Sequence, residues 1–254
     1  MAPRSDVEAR ELEYHEKLYS GFAQQHFAKP AVRALRRHMV DRICQVTGAN
    51  RQSRVLSLGC GIGDTELILA PRVASVTGID LSPSAIRQAR IDADRQQIRN
   101  AQFIEGGMDS AHGQFDVVIA IFFLHHIPDA ELESLPGTIA KMLVPRGRFY
   151  SLDPSHYRLS GAIGSLVIPW MMKKYQTADE RELKPEWTRA LFSRHGFDAH
   201  LDYYDFASSP LAGLFPSWAA GYWTARYADE ILRRMPLIRK LGSNFEVIAQ
   251  RAAI

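Results

Sequence analysis

Apolar positions recur at helical spacing through the first part of the chain. Tyr14, Leu18 and Phe22, then Val32, Leu35, Met39 and Ile43, predict helix over residues 5–48. Pro30 divides the two runs and suits the first turn of the second helix; Gly48 and Asn50 end it. The pattern then changes to short, β-branched and apolar runs: Arg54–Leu58, Ala74–Asp80, Gln102–Gly106, Phe115–Ala120 and Arg148–Leu152. Helical stretches separate them: Thr65–Ala70, Ile86–Ile98 behind a Ser82-Pro83 cap, and Leu132–Leu143, closed by Pro145 and Gly147. Phe115–Ala120 is almost continuously apolar, as expected of a strand covered on both faces.

After Asp153 the alternation breaks. Residues 154–183 are irregular, Pro185–His195 reads as a helix closed by Gly196, and Ala199–Phe206 alternates like a strand. An aromatic stretch follows, and Phe245–Ala249 is a last strand. Strands alternating with helices predict the α/β class: a doubly wound, mostly parallel sheet with helices on both faces. N-terminal helices precede it and a C-terminal helical insertion interrupts it.

Composition narrows the function classes. The 254 residues have a formal net charge of +3, with no Lys/Arg stripe interleaved with aromatics, so no nucleic-acid partner is expected. Two cysteines, Cys44 and Cys60, make neither a disulfide framework nor a zinc site, and the His and acid spacings match no metal-ligand pattern. No apolar leader opens the chain, and its most apolar stretch, Gly161–Met172, falls short of a membrane span; a cytoplasmic setting is expected.

The candidate chemistry starts at the first strand, which runs into Gly59-Cys60-Gly61-Ile62-Gly63 at a helix N-terminus. Glycines there let a ligand approach bare backbone, and the first N–H groups of the helix are ready donors. A plain tight turn is the alternative. The sixth position of a dinucleotide fingerprint is Asp64, and Glu66 follows, so negative charge stands where a pyrophosphate would sit. That suits a ligand without phosphates and with a cationic group. Asp80 ends the second strand, where a carboxylate accepts from ribose hydroxyls or merely caps a turn. Asp109 is a candidate acceptor from a purine amine, with Met108 against the ring; a solvated loop acid is the alternative.

In combination these motifs look familiar. Val55–Gly63 resembles the first motif of the class I S-adenosylmethionine-dependent methyltransferases, and Gly78-Ile79-Asp80-Leu81-Ser82 resembles their ribose-binding turn. Gly107-Met108-Asp109 lies where that family has its adenine-contacting acid. Phe115–Val118 through Phe123–Asp129, and Leu143–Phe149, resemble the fourth strand with its loop and the turn into the fifth. The resemblance covers about residues 50–153. It implies a Rossmann-like sheet of seven strands with the last antiparallel, S-adenosyl-L-methionine as cofactor and S-adenosyl-L-homocysteine as product. It implies Gly59, Cys60, Gly61, Gly63, Asp80, Leu81, Met108, Asp109 and Ile121 as cofactor contacts. The chain then divides into an N-terminal helical cap or lid (1–50), a cofactor-binding core (51–153) and a substrate-side half (154–254).

Acceptor-side candidates lie after strands four and five, where open α/β sheets bind ligands. His125 and His126 follow one; Asp153, His156 and Tyr157 follow the other. One of the two adjacent histidines is expected to face the cleft and the other to pack beneath it, a plain helix entry at His126–Asp129 being the alternative; Asp153 is a candidate to orient a His or bind an amine, with a turn Asp before proline as the alternative. Tyr14, Tyr19, Tyr157, Trp170, Trp218 and Trp223 are candidates for a pocket that takes a small or medium acceptor with an apolar or aromatic part. Covering a sheet edge or making a dimer contact are alternatives, so monomer and homodimer both stay open. Arg226, Arg233, Arg234, Arg239 and Lys240, beside Trp218, Trp223, Ile231 and Leu237, also read as an interfacial helix for peripheral membrane contact, the less favoured reading. Arg226 and Arg233 otherwise read as a solvated helix face. Rival functions are a non-catalytic binding protein for the same cofactor and an NAD(P)-dependent oxidoreductase.

Overall fold

The computed structural model describes Glu16, residues 22–161 and residues 182–253. Two helices lead into the sheet, the short α1 (Phe22–Phe27) and the long α2 (Pro30–Thr47). Then follow β1 (Arg54–Leu58), α3 (Asp64–Leu69), β2 (Ser75–Asp80), α4 (Pro83–Arg95), β3 (Ala101–Glu105) and β4 (Phe115–Ile121). Next come α5 (Asp129–Met142), β5 (Leu143–Pro154), α6 (Pro185–Arg194) and β6 (Phe197–Asp205). The chain closes with α7 (Ser208–Leu214), α8 (Ala219–Leu232) and β7 (Asn244–Arg251). The seven strands form one sheet in the order β3-β2-β1-β4-β5-β7-β6. All neighbours pair in parallel except β7, which runs antiparallel to both β5 and β6.

Side-chain alternation explains the layers. Leu56 and Leu58 of β1, Val118 and Ala120 of β4, and Phe149 of β5 point to one face, under Leu135 and Ile139 of α5 and Leu191 and Phe192 of α6. Val55, Val117, Ile119, Tyr150 and Leu152 point to the other, under Leu35, Met39 and Ile43 of α2 and Tyr222 of α8. Ser57 faces that second side as well, where its hydroxyl finds a carboxylate.

The helix signals read from the sequence hold in detail at α4. Ser82 has extended backbone, and its hydroxyl accepts the Ala85 N–H at 3.1 Å, with Pro83 opening the helix. At β5 the outcome differs. Pro145 and Gly147 do not close a helix ahead of a strand at Arg148. Instead α5 passes directly into β5 at Leu143, and the register jumps from Phe115↔Leu143 to Val117↔Arg148. The extra residues bulge, with Arg146 at φ 62°. A bulge tolerates a proline because its N–H is not needed in the ladder.

Candidate functional site

The carboxyl end of β1 delivers three glycines in left-handed backbone: Gly59 at φ 65°, Gly61 at 52° and Gly63 at 73°. At Gly59 a Cβ would also stand 2.4 Å from the Phe123 ring, so that position excludes any side chain. Gly63 opens α3 directly over Phe103. The loop is tied to the neighbouring strand by Asp80, whose Oδ2 accepts the Gly61 N–H at 2.8 Å and whose Oδ1 accepts the Ser82 N–H at 2.9 Å. The acid at the end of β2 thus holds loop and α4 turn in one frame. Glu16 reaches the same turn, accepting from the Ser82 hydroxyl and the Ser84 N–H.

Beside this frame lies a cavity of about 450 Å³. Gly59, Cys60, Gly61 and Ile62 form its backbone floor, with Asp64, Thr65 and Glu66 of α3. His26 and Phe27 of α1, and Val32, Leu35 and Arg36 of α2, form a second wall. Ile121, Phe122 and His126 bound it after β4, and Ser209, Ala212 and Gly213 of α7 complete it. Phe122 is held at φ 52°, an uncommon conformation for an aromatic residue.

The electrostatics of this cavity are specific. Arg36 Nε bonds Asp64 Oδ2 at 2.6 Å while its guanidinium stands over Phe27 and Phe122, so the acid at the start of α3 is already paired. Glu66 is 2% exposed. Its Oε1 accepts the Ser57 hydroxyl at 2.6 Å, and its Oε2 is buried with no hydrogen-bond partner. Burial pushes its carboxyl up to about 7, against the Ser57 hydrogen bond and with help from the Asp64 charge. Burial, with Arg36 adding to it, lowers His26 and so favours its neutral form. Burial drives the Cys60 thiol up, with Glu66 and Asp80 adding to the shift, so Cys60 stays protonated and is a wall rather than a nucleophile.

A histidine pair closes the β4–β5 side. A 3-10 turn over Leu124–His126 aims the two rings differently. His125 is buried, and its Nδ1 lies 2.9 Å from Oδ1 of Asp153, itself fully buried at the end of β5. The same oxygen accepts the His125 backbone N–H at 3.3 Å. His126 faces the cavity, its ring centroid 4.0 Å from that of His125.

Of the residues singled out from the sequence, Gly59, Cys60, Gly61, Ile121 and His126 line the cavity, Asp80 joins it through Gly61, and His125 with Asp153 stands behind it. Gly63, Leu81, Met108 and Asp109 are not on its lining; Met108 packs against the core beside β3, and Asp109 is exposed. His156 faces Glu182 at 3.4 Å, and Tyr157, Trp218 and Trp223 are exposed, so none of the four lines the cavity. Tyr14, Tyr19 and Trp170 lie outside the described residues. The aromatic wall is made instead by Phe27 and Phe122. Ser57, His26 and Arg36 also line the cavity and carry no signal of their own in the sequence, because each acquires its meaning from a partner on another element.

Residues 55–147 match the family model of a methyltransferase domain. A ubiquinone biosynthesis O-methyltransferase of Albidiferax ferrireducens is 35% identical over 120 residues, 46% of this chain and 45% of that protein. A demethylmenaquinone methyltransferase of Tropheryma whipplei is 29% identical over 121 residues, 48% of this chain and 50% of that protein. The chain therefore spans about half the length of the curated relatives it matches. The crystal structure of magnesium protoporphyrin IX methyltransferase from Synechocystis PCC 6803 with bound SAH superimposes with a TM-score of 0.65. It does so at 14% identity, over 97% of this chain and 100% of that one, and so shows the fold. Residues 55–147 thus match a methyltransferase domain, and the seven-stranded sheet with its antiparallel β7 has the fold of that SAH-bound methyltransferase.

Proposed function

We propose that this protein binds S-adenosyl-L-methionine against the Gly59–Gly63 loop and transfers its methyl group to a small or medium organic acceptor with an apolar or aromatic part. The observation that carries the cofactor reading is the character of one cavity. Bare glycine backbone meets the Asp80 frame and the buried Glu66 carboxylate, while Arg36, the one Lys or Arg on the lining among the described residues, is already bound by Asp64. Such a lining suits a cation and a ribose and offers nothing to a pyrophosphate. When bound, S-adenosylmethionine supplies an electrophilic methyl group on a sulfonium. The residues of this chain then have three tasks. The glycine loop and Asp80 hold the donor. Phe27, Val32, Leu35 and Phe122 exclude water and accept an apolar body. His126 stands where a hydroxyl proton of the acceptor would be removed, steadied from behind by His125 and Asp153. Support for the acceptor class comes from this apolar wall and from relatives named for quinone biosynthesis.

Calorimetric titration with S-adenosylmethionine, S-adenosylhomocysteine and NADH tests the reading. Micromolar binding of the two sulfur ligands with none of NADH is expected; the reverse preference would make the protein a nicotinamide enzyme. Asp80→Ala is expected to weaken S-adenosylhomocysteine by about tenfold or more, the size of a charge-assisted hydrogen-bond pair. Unchanged affinity in that variant removes Asp80 from the ribose role.

A further inference from the structure

The outermost helix is built inside out. On α8 the buried positions include Arg226 and Asp229, at 3% and 0% exposure. Arg226 donates to the Tyr204 carbonyl at 2.8 Å and pairs with Glu230. Asp229 accepts the N–H groups of Ala207 and Ser208, each at 3.0 Å, and so anchors the start of α7. The charged residues of this helix serve the protein interior. Arg226 and Arg233 are thereby removed from any solvated face, since Arg233 bonds Asp202 at 2.8 Å.

The opposite face carries no charge. Its exposed positions are Ala220, Trp223, Thr224, Tyr227, Ala228 and Ile231. Trp223, Tyr227 and Ile231 recur four residues apart, at 52%, 73% and 50% exposure. The apolar surface continues before the helix at Phe215 and Trp218 and after it at Leu237, which is 87% exposed. A soluble helix normally turns such a stripe inward. Around it the charge is one-sided. Between Ala207 and Ser243 the acids are Asp229, which is buried, and Glu230, which is paired with Arg226 and Arg233, while the exposed charged residues are Arg234, which also borders a cleft with Asp41 and Asp202, and Arg239 and Lys240.

We infer that the face from Phe215 to Lys240 docks on an anionic lipid surface, with Trp223, Tyr227 and Ile231 in the headgroup region and Arg234, Arg239 and Lys240 on the lipid charges. A second copy of the chain satisfies only half of these features. A two-fold contact sets the same patch against itself, and the segment from Phe215 to Lys240 offers no exposed unpaired acid to Arg239 and Lys240 of a second copy. An anionic bilayer accepts both the aromatic stripe and the cations. The placement also has a use. Ala212 and Gly213 of α7 line the cavity, Phe215 and Trp218 follow immediately, and the Ala31 N–H of α2 bonds the Pro216 carbonyl at 2.8 Å. The docked face therefore borders the cavity, and an acceptor with an apolar part would reach it from the bilayer.

The test is sedimentation of the whole chain with phosphatidylcholine vesicles, with and without phosphatidylglycerol, alongside sedimentation velocity without lipid. Binding to the phosphatidylglycerol vesicles, weakened by salt, is expected. Tyr227→Ser with Ile231→Ser should lower it by about tenfold or more, through loss of buried apolar area. Arg234→Gln and Arg239→Gln should each cost on the order of fivefold. Circular dichroism and S-adenosylhomocysteine affinity should stay at wild-type values in all of these variants, since none lines the cavity. Equal binding to neutral and anionic vesicles, or none to either, overturns the proposal. So does a wild-type dimer that Tyr227→Ser with Ile231→Ser turns into a monomer, which would assign the face to a second copy.

Discussion

Glu66→Gln is expected to do two opposite things: stabilise the ligand-free protein above neutrality and weaken its hold on S-adenosylmethionine. The first follows from linkage. The folded carboxyl titrates near 7, above its ordinary value of 4.5, chiefly because burial penalises its charge. An acid raised on folding contributes stability that is full below its unfolded value and is lost as pH rises through its folded one. Wild-type stability should therefore fall between about pH 4.5 and 7 by roughly 3 kcal/mol from this group. Denaturant unfolding of wild type and Glu66→Gln at about pH 5 and about pH 8 reads that slope as the difference between the two proteins, because His38, lowered by burial to about 4, adds an opposite slope that both share. The second effect follows from the unpartnered Oε2. A cationic ligand group beside it favours the ionised form, so binding near pH 6.5 should release a proton and affinity should climb as pH rises through about 7. Asp64 is paired with Arg36, Ser57 is a neutral donor and Cys60 stays a thiol, while His26 and His126 share the lining, so it is the Glu66→Gln variant that assigns the proton. Calorimetry in two buffers of different ionisation enthalpy counts the released proton. Glu66→Gln should abolish the release and weaken binding by about tenfold or more. Identical proton counts in wild type and variant would mean that the ligand's cation is held elsewhere.

The difference between what was legible along the chain and what was not lies in the range of the interactions involved. Asp80 was found because a strand-end acid is a local feature, and Ser82-Pro83 because a helix start is written in adjacent residues. The parallel part of the sheet followed from strands alternating with helices, with β1, β4 and β5 burying most of their residues, whereas seven strands with an antiparallel last one came from the family resemblance. Glu66 was visible only as negative charge at a helix start. Its role depends on Ser57, nine positions away, and on the α2 wall carrying Arg36. Pro145 misled because a proline reads alike in a helix stop and in a bulge. The histidine after β4 that would face the cavity could not be chosen from sequence, because a 3-10 turn has no side-chain alternation to read. The charges of α8 misled most. Helical period gives a stripe but not its direction, and here buried partners at Tyr204 and Ala207 reversed the usual sense.

His126→Ala is expected to lower kcat by about a hundredfold to ten-thousandfold toward a hydroxyl acceptor, the range of a positioned general base. Donor affinity should be little changed, because the glycine loop, Asp80 and Glu66 remain. The companion variant is Asp153→Asn. Asp153 does not line the cavity; it acts through His125, whose Nδ1 it holds at 2.9 Å and whose backbone N–H it also accepts. Its charge fixes which nitrogen of His125 carries the proton, and so how that ring presents itself to His126, 4.0 Å away. Asn keeps the size but not the charge, so kcat should fall less than in His126→Ala while the pH dependence of kcat shifts. A purely structural role for Asp153 would instead lower the melting temperature and leave the pH profile of the surviving activity in place. Turnover by His126→Ala at the wild-type rate, once an acceptor is in hand, would remove the base from the mechanism. It would leave methyl transfer to alignment and water exclusion by Phe122 and the α2 wall, with the acceptor entering already deprotonated.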